Sequence, residues 1–172
     1  SNISTFDDPG TFNITARYNE TQNFTGSLVT YFVIVNDITP PSITLVVPAN
    51  NTNATVTSYN FTWIAVNAVA NMSCNLTLDG LVNTSHVQSL NGTFANASVS
   101  AIQDGRHAWN VTCTDGSNIN TSDTFRFTVD TTAPVLDNRT ENPISAATYN
   151  NTGIYNFTIN VTDALNAVDT VQ

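Results

Sequence analysis

The chain has 172 residues, of which 41% are hydrophobic and only 10% are charged, and its four basic residues against thirteen acidic ones give a formal net charge of −9. Nucleic acids and anionic membranes are bound through clustered Lys and Arg, so this composition excludes both classes of partner. The sequence contains no apolar run of about 18 residues, and we therefore expect no membrane insertion in this segment. It starts without Met or a signal-peptide pattern, which predicts a mature or excised piece of a longer product.

In chain order, the first strand-like pattern is GTFNITA at residues 10–16, followed by FVIVNDITPP at residues 32–41. The second segment returns as FRFTVDTTAP at residues 125–134. Similarly, YNFTWIAVNAV at residues 59–69 returns as YNFTINVTDAL at residues 155–165. These spacings indicate an internal repeat of about 95 residues.

The repeat divides the chain into three parts. Residues 39–131 form one complete unit, residues 1–38 resemble the last strands of a preceding unit, and residues 132–172 resemble the first strands of a further unit. GTFNITA supports this division because it resembles HAWNVTC at residues 107–113. The DITPP and DTTAP segments at the two junctions contain Pro, which predicts short, semi-rigid linkers.

The complete unit has an apolar residue at every second position, the period of a half-buried strand. Three stretches show it best: Phe61, Trp63 and Ala65; Met72, Cys74, Leu76 and Leu78; and Trp109, Val111 and Cys113. About seven short strands separated by Asn, Gly, Asp and Pro turns predict an all-β fold, an immunoglobulin-like antiparallel β-sandwich in tandem repeats.

Cys74 and Cys113 are the only cysteines, and both fall on the inward phase of their strands. A disulfide between them is the simplest interpretation, and closing a loop of about 40 residues would stabilise the fold by about 4 kcal/mol in the chain-entropy model. The alternative is a pair of buried free thiols, since disulfides persist only in oxidising compartments. The spacing of the cysteines and of His86 and His107 does not match a metal site.

Asparagines in the N-glycosylation acceptor pattern Asn-x-Ser/Thr are far more frequent than composition predicts. The pattern occurs at 18 of 25 asparagines, whereas random placement among 41 Ser and Thr would give about 6. The predicted glycosylation sites are Asn2, Asn13, Asn19, Asn23, Asn50, Asn53, Asn60, Asn71, Asn75, Asn83, Asn91, Asn96, Asn110, Asn120, Asn138, Asn150, Asn156 and Asn160.

On a strand, the Asn and the Ser or Thr of one acceptor share a face, so both point to solvent while the residue between them points inward. Strand acceptors with an apolar middle residue are Asn13, Asn60, Asn75, Asn110, Asn156 and Asn160. We therefore expect covalent N-linked glycans to replace surface charge as the solubilising layer of a secreted protein. The alternative is that Asn and Thr are only polar strand and turn residues.

No motif brings a nucleophile, a base or a metal together, so an enzyme is not expected, and no cofactor is predicted beyond the glycans. Calcium is the open possibility, because Asp115, Asn118, Asn120 and Asp123 offer oxygen ligands in one turn and Asp37 and Asp130 lie at the junctions. Two carboxylates are few for calcium, and hairpin turns commonly use Asp and Asn.

The segments SYNFTWIAVNAVANMSCNLTLDG and DGRHAWNVTCTDGSNINTSDTFRFTVDTTAP resemble the tandem immunoglobulin-like repeats of archaeal, and some bacterial, cell-surface glycoproteins. The matching positions are Gly105, Trp109, Val111, Cys113, Asp115 and Gly116, then Phe127, Val129, Asp130, Thr132 and Pro134. In the flanking parts Ala16 replaces Cys113 and Ile159 replaces Trp63, so we expect no bridge there. The resemblance implies an extracellular, repetitive protein with a structural or adhesive role.

These features favour a structural repeat unit of a heavily N-glycosylated extracellular filament or surface appendage, a pilus-like fibril that contacts further copies of itself head to tail. Residues 132–172 of one copy would be completed by residues 1–38 of the next through strand addition, or the units would be consecutive parts of one polypeptide. The alternatives are an adhesin stalk or carbohydrate- or host-binding module, and a spacer domain of a surface layer.

Overall fold

A computed structural model describes residues 5–6, 8–68, 71–142, 144, 148 and 152–163. Within these residues the strands are β1 Gly10–Tyr18, β2 Ser27–Val35, β3 Ser42–Val47, β4 Thr52–Ala54, β5 Tyr59–Val66, β6 Asn71–Leu78, β7 Leu81–Leu90, β8 Phe94–Val99, β9 Gly105–Thr114, β10 Ile119–Thr121, β11 Phe125–Val129, β12 Val135–Asn142 and β13 Asn156–Thr162. In this part of the chain no helix is long and apolar enough to cross a membrane. The predicted acceptors Asn2 and Asn150 lie outside the described residues, as do residues 164–172.

Strands β3 to β11 build a two-layer sandwich. One sheet has the order β3-β5-β8, and the other has the order β4-β11-β9-β6-β7, with β10 paired to β9. Neighbouring strands are antiparallel except β4 and β11, which run parallel. The predicted immunoglobulin-like sandwich is confirmed. It has two strands more than the seven that were expected, and it includes two short strands, β4 and β10, of only three residues each.

The core lies between these sheets and follows the predicted alternation. In β5, Phe61, Trp63 and Ala65 are all 0% exposed, while Asn60 on the other face is exposed. The Phe61 ring meets the Trp109 ring edge to face at 5.1 Å. Aromatic pairs of this kind add about 0.5–1.5 kcal/mol to the gain from burial alone.

Cys74 and Cys113 form the predicted disulfide. They are directly opposite each other on the neighbouring strands β6 and β9, with their Cα atoms 4.1 Å apart. The bridge therefore links two strands of one sheet, unlike the bridge between sheets of antibody domains. The alternation placed both sulfurs in the core, and the pairing of β6 with β9 brings them together.

The flanking parts of the chain form two hairpins outside the sandwich sheets. Within the described residues β1 pairs with β2 and β12 pairs with β13, each as a two-stranded sheet. Their apolar side chains stay exposed, for example Phe32 at 70%, Ile34 at 70% and Phe157 at 61%. The hairpins therefore contain strands, as the repeat predicts, but their apolar side chains are not buried like those of the complete unit.

The C-terminal hairpin has the register of the sandwich strand pair β3 and β5. Val135 faces Thr162 in β12 and β13, and the corresponding residues Ser42 and Val66 face each other in β3 and β5. Each hairpin then changes register a few residues later. Corresponding sequence thus gives corresponding pairing.

The N-terminal hairpin differs from the repeat by one residue. Trp109 faces Phe125 in the sandwich, so the repeat predicts that Phe12 faces Phe32, but Phe12 faces Val33. A slip by one residue reverses every side chain of a strand, and a register is only weakly specified where no face is buried. The absence of a covering sheet in the described structure accounts for the difference.

Candidate functional site

The candidate functional surface consists of the predicted glycan acceptors. Sixteen of them lie among the described residues, where fourteen are exposed and two, Asn75 and Asn110, are half-buried. The asparagine with the lowest exposure in the described chain, Asn67 at 9%, is not in an acceptor pattern. The geometry therefore leaves every described acceptor at least partly open to solvent.

The sandwich presents its strand acceptors as predicted, with the middle residue inward. Phe61, Leu76 and Val111 are all 0% exposed. In the hairpins the prediction is wrong for Ile14, which is 44% exposed, and for Phe157, which is 61% exposed, while Val161 is half-buried. The same alternation is present there, but no second sheet covers it in the described structure.

Three asparagines, which we call the asparagine clamp, hold the linker that precedes the sandwich. Their amide nitrogens donate to alternate linker carbonyls: Asn118 to Asp37 at 3.1 Å, Asn67 to Thr39 at 3.0 Å, and Asn120 to Pro41 at 2.8 Å. These bonds satisfy carbonyls of a segment that has no sheet partner in the described structure. The linker is therefore attached to the end of the sandwich.

The carboxylate of Asp115 holds two asparagines of the clamp in place. Its carboxylate accepts from the side chain of Asn67 at 2.6 Å and from that of Asn118 at 3.2 Å, as well as from the backbone of Ser117 and Asn118. Burial raises the pKa of the Asp115 carboxyl, but the hydrogen bonds from Asn118, Ser117 and Asn67 outweigh it, so that the pKa is lowered overall. Asp115 is thus an ionised acceptor that orients two amides.

Sequence reasoning found the residues of this turn but missed the role of three of them. It offered Asp115, Asn118 and Asn120 as calcium ligands, whereas both oxygens of Asp115 accept hydrogen bonds from nitrogen donors and the two amides bind the linker. Asp37 and Asp130 accept from Thr39 and Thr132, two residues further along each linker. Calcium binding stays a prediction. Asn67 could have been noticed as a non-acceptor asparagine at the end of a core strand.

Both histidines lie within strands of the sandwich. His86 lies inside β7 with a φ of 58°. The ring of His107 bridges Asp79 at 2.7 Å and the carbonyl of Gln103 at 2.8 Å, and its side chain is only 12% exposed. Burial lowers the pKa of His107, but the hydrogen bonds to Asp79 and Gln103 and the Asp79 charge raise it overall. Acceptors at both ring nitrogens therefore favour the protonated form of His107.

Comparison with known proteins gives little beyond this geometry. No protein-family model matches the chain, and no curated protein matches it in sequence. Among solved structures, it is similar to the fibronectin(III)-like modules of CbhA from Clostridium thermocellum, at 18% identity and a TM-score of 0.44. The match covers 70% of this chain and 63% of that chain, which is less than two thirds of its length. The fold assignment rests on the strand order described above.

Proposed function

We propose that the chain is a structural repeat unit of a heavily N-glycosylated extracellular filament or surface appendage. The observation that carries the proposal is the placement of the acceptors, because all sixteen among the described residues are exposed or half-buried. A glycan is bulky and needs a solvent-facing attachment point. With only 10% charged residues, the surface also lacks the ionic groups that ordinarily keep an extracellular domain soluble.

An extracellular location is supported by the disulfide between Cys74 and Cys113. Disulfides form and persist in oxidising compartments and are rare in the cytosol. N-linked glycans are likewise added on a secretory route. The bridge and the acceptors therefore favour the same compartment through independent chemistry.

Head-to-tail assembly is supported by the two hairpins. Each exposes an apolar face, and such faces with open strand edges are ordinarily covered by another sheet. The C-terminal hairpin has the register of β3 and β5, and the N-terminal hairpin corresponds in sequence to β9 and β11. If the C-terminal hairpin of one copy packed on the N-terminal hairpin of the next, the two would form the facing layers of a small junction sandwich.

Such a junction would be simpler than the central sandwich. From the described residues it would contain β12, β13, β1 and β2, and none of these corresponds to β6, β7 or β8. The edges of β13 and β1 would then lack the neighbours that β5 finds in β8 and that β9 finds in β6. Consecutive units of one longer polypeptide would supply these strands, so the two forms of assembly differ at these edges.

The asparagine clamp favours a rigid linker between successive units over a flexible one. It binds three alternate carbonyls of a linker that also contains Pro40 and Pro41. Proline restricts the backbone, and the clamp adds three hydrogen bonds from the sandwich. A fixed linker gives successive units a repeated orientation, which a regular filament requires.

A carbohydrate- or host-binding module is less well supported. A module for neutral sugars would stack them on exposed aromatic side chains, and among the described aromatic residues of the sandwich only Phe94 is strongly exposed, at 67%. The other sandwich aromatics point into or against the core. A spacer domain would share the sandwich and the linker, but it would not need the two apolar hairpins to meet.

Cryo-electron microscopy of the native material, combined with glycopeptide mapping, tests the proposal. We expect a periodic fibre with extra density at most acceptors. Asn120 and Asn96 are both exposed, but Asn120 should show lower occupancy than Asn96, because its amide nitrogen already donates to the Pro41 carbonyl. Isolated particles without sugar would contradict the proposal and would make the acceptor excess a matter of polar composition.

A further inference from the structure

Two of the four basic residues of the chain lie side by side on the outer face of one sheet. Arg106 on β9 faces Thr128, and Arg126 on β11 faces Ala108, so the two arginines are diagonal neighbours across the strand pair. Both are exposed. Like charges at such positions repel each other, which makes the pair unfavourable unless an anion lies between or beside them.

The protein itself supplies no such anion in the described structure. Acidic residues outnumber basic ones by thirteen to four, yet the ion pairs of the described chain join Arg139 to Glu141 and His107 to Asp79, not these arginines. These two guanidinium groups are therefore available to an external anion.

The arginines line an open groove with a volume of about 260 Å³. Its lining comprises Asn51, Asn53, Arg106, Arg126, Phe127 and Thr128. The backbone below it is fixed, because the Arg126 amide donates to the Asn50 side chain at 2.9 Å and the Asn51 amide donates to the Arg126 carbonyl at 2.6 Å. This volume is slightly below the range of about 300–1,000 Å³ that is usual for ligand sites, so the groove has room for only a small part of a saccharide.

One residue of the groove is itself a predicted glycan acceptor. Asn53 starts the acceptor Asn53-Ala54-Thr55 and faces Thr128 across the parallel pair of β4 and β11. A sugar attached to Asn53 would begin at the rim of the groove. The acceptor and the two arginines thus place a saccharide and a positive charge at one location.

We propose that Arg106 and Arg126 bind an anionic sugar, one that carries a carboxylate or a sulfate, in this groove. The assignment of the sugar rests on the proposed function, since it assumes a glycan-bearing surface. Guanidinium groups bind carboxylates and sulfates through paired hydrogen bonds as well as charge. The sugar comes either from the glycan on Asn53 or from another saccharide of the same coat, and in both cases it docks through the two arginines.

The test uses the full chain, produced without glycans and with its disulfide formed, and follows backbone and arginine side-chain NMR signals. A glucuronic-acid disaccharide should shift the signals of Arg106, Arg126 and Thr128, and a neutral glucose disaccharide should not. Arg106→Gln and Arg126→Gln should each weaken binding by about tenfold, the loss expected for a charged hydrogen bond. Arg17→Gln, which changes an exposed arginine outside the groove, should leave binding unchanged.

A second arm distinguishes the two sources of sugar. In the native glycoprotein, a glycan on Asn53 that fills the groove should block the added disaccharide, and Thr55→Ala, which removes the acceptor pattern without changing the groove lining, should restore binding. If another saccharide of the coat is the source, Thr55→Ala should leave the binding of the added disaccharide to the native glycoprotein unchanged. Equal binding of acidic and neutral disaccharides, or no effect of either groove variant, overturns the proposal. Glycopeptide mapping at Asn53 reports on the proposed function separately.

Discussion

Phe61 and Phe157 occupy the same position in the repeated sequence YNFT, one in the central sandwich and the other in the C-terminal hairpin. Phe61 is 0% exposed and contacts the rings of Trp109 and Phe127, whereas Phe157 is 61% exposed. Their neighbours in sequence are identical. The difference lies in the layers around them, because β5 lies between two strands and under a facing sheet, while β13 has only β12 as a partner in the described structure.

This comparison separates two kinds of information in the sequence. The alternation of apolar and polar residues determines which side of a strand can pack into a core, and it is present in both regions. Burial requires a second sheet, which the sandwich contains and the hairpins do not. Substitutions of corresponding residues should therefore affect stability much more in the sandwich than in the hairpins.

The largest expected effect distinguishes the two phenylalanines. Phe61→Ala should lower the free energy of unfolding of the sandwich by about 3–5 kcal/mol, because it leaves a cavity in a closed core. Phe157→Ala should change it by less than about 0.5 kcal/mol, as for other exposed positions. Denaturant unfolding followed by tryptophan emission suits this test, since Trp63 and Trp109 both lie in the sandwich. Equal effects of the two variants would contradict the comparison.

Removal of the disulfide should have the next largest effect. Replacing both Cys74 and Cys113 by Ala should destabilise the sandwich by about 2–4 kcal/mol, because the bridge closes a long loop in the unfolded chain. The same shift should follow reduction of the unchanged protein, and the double variant should not respond to a reductant. An unfolding midpoint that is insensitive to reduction would show that the bridge does not constrain the sandwich.

The asparagine clamp should contribute less, but its effect should reach the junction between the regions. Asn118→Ala removes hydrogen bonds to Asp37 and Asp115, which should cost about 1–3 kcal/mol and speed proteolytic cleavage of the linker at residues 37–41. Asn36→Ala is the matched control, since Asn36 is exposed and, like Asn118, is not an acceptor. Equal cleavage rates in the two variants would mean that the clamp does not hold the linker.

The smallest expected effect is a pH dependence confined to the sandwich. The pKa of His107 is raised in the folded protein, so its contribution to stability is fully present below its ordinary pKa of 6.5 and is lost as the pH rises through the raised value. Thermal unfolding from about pH 6 to pH 9 should therefore show a falling midpoint. His107→Gln should flatten this slope, whereas His86→Gln should not; a slope unchanged by His107→Gln would assign it to another group.

Much of the sandwich could be predicted because its core residues alternate without interruption. Phe61, Trp63, Trp109 and both cysteines lie inside, as the period of 2 required. The sequence did not reveal which strands would be neighbours, so the disulfide could be predicted but its location within one sheet could not. Strand order depends on contacts between distant segments, which local periodicity does not record.

The candidate site was predictable only in part for the same reason. The acceptors are a local pattern and could be read directly, and their open positions follow from the pleat. The clamp joins Asn67, Asn118 and Asn120 to a linker far away in sequence, and the groove arginines converge from two strands. The slipped register of Phe12 shows the limit of local reading, because an uncovered hairpin has no core to specify its pairing.

Head-to-tail assembly can be tested most directly at the positions of the two hairpins that correspond to a core contact of the sandwich. The pair Phe61 and Trp109 corresponds through the repeat to Phe157 and Phe12, so Phe157 of one copy should meet Phe12 of the next. A chain with Phe12→Cys and Phe157→Cys, treated with a short bismaleimide, should give a ladder of multimers on a denaturing gel. The single variants should stay monomeric, because each head-to-tail junction would then carry only one cysteine, and the native cysteines are bridged and buried. A double variant that yields only monomers, cyclised or not, would contradict the account.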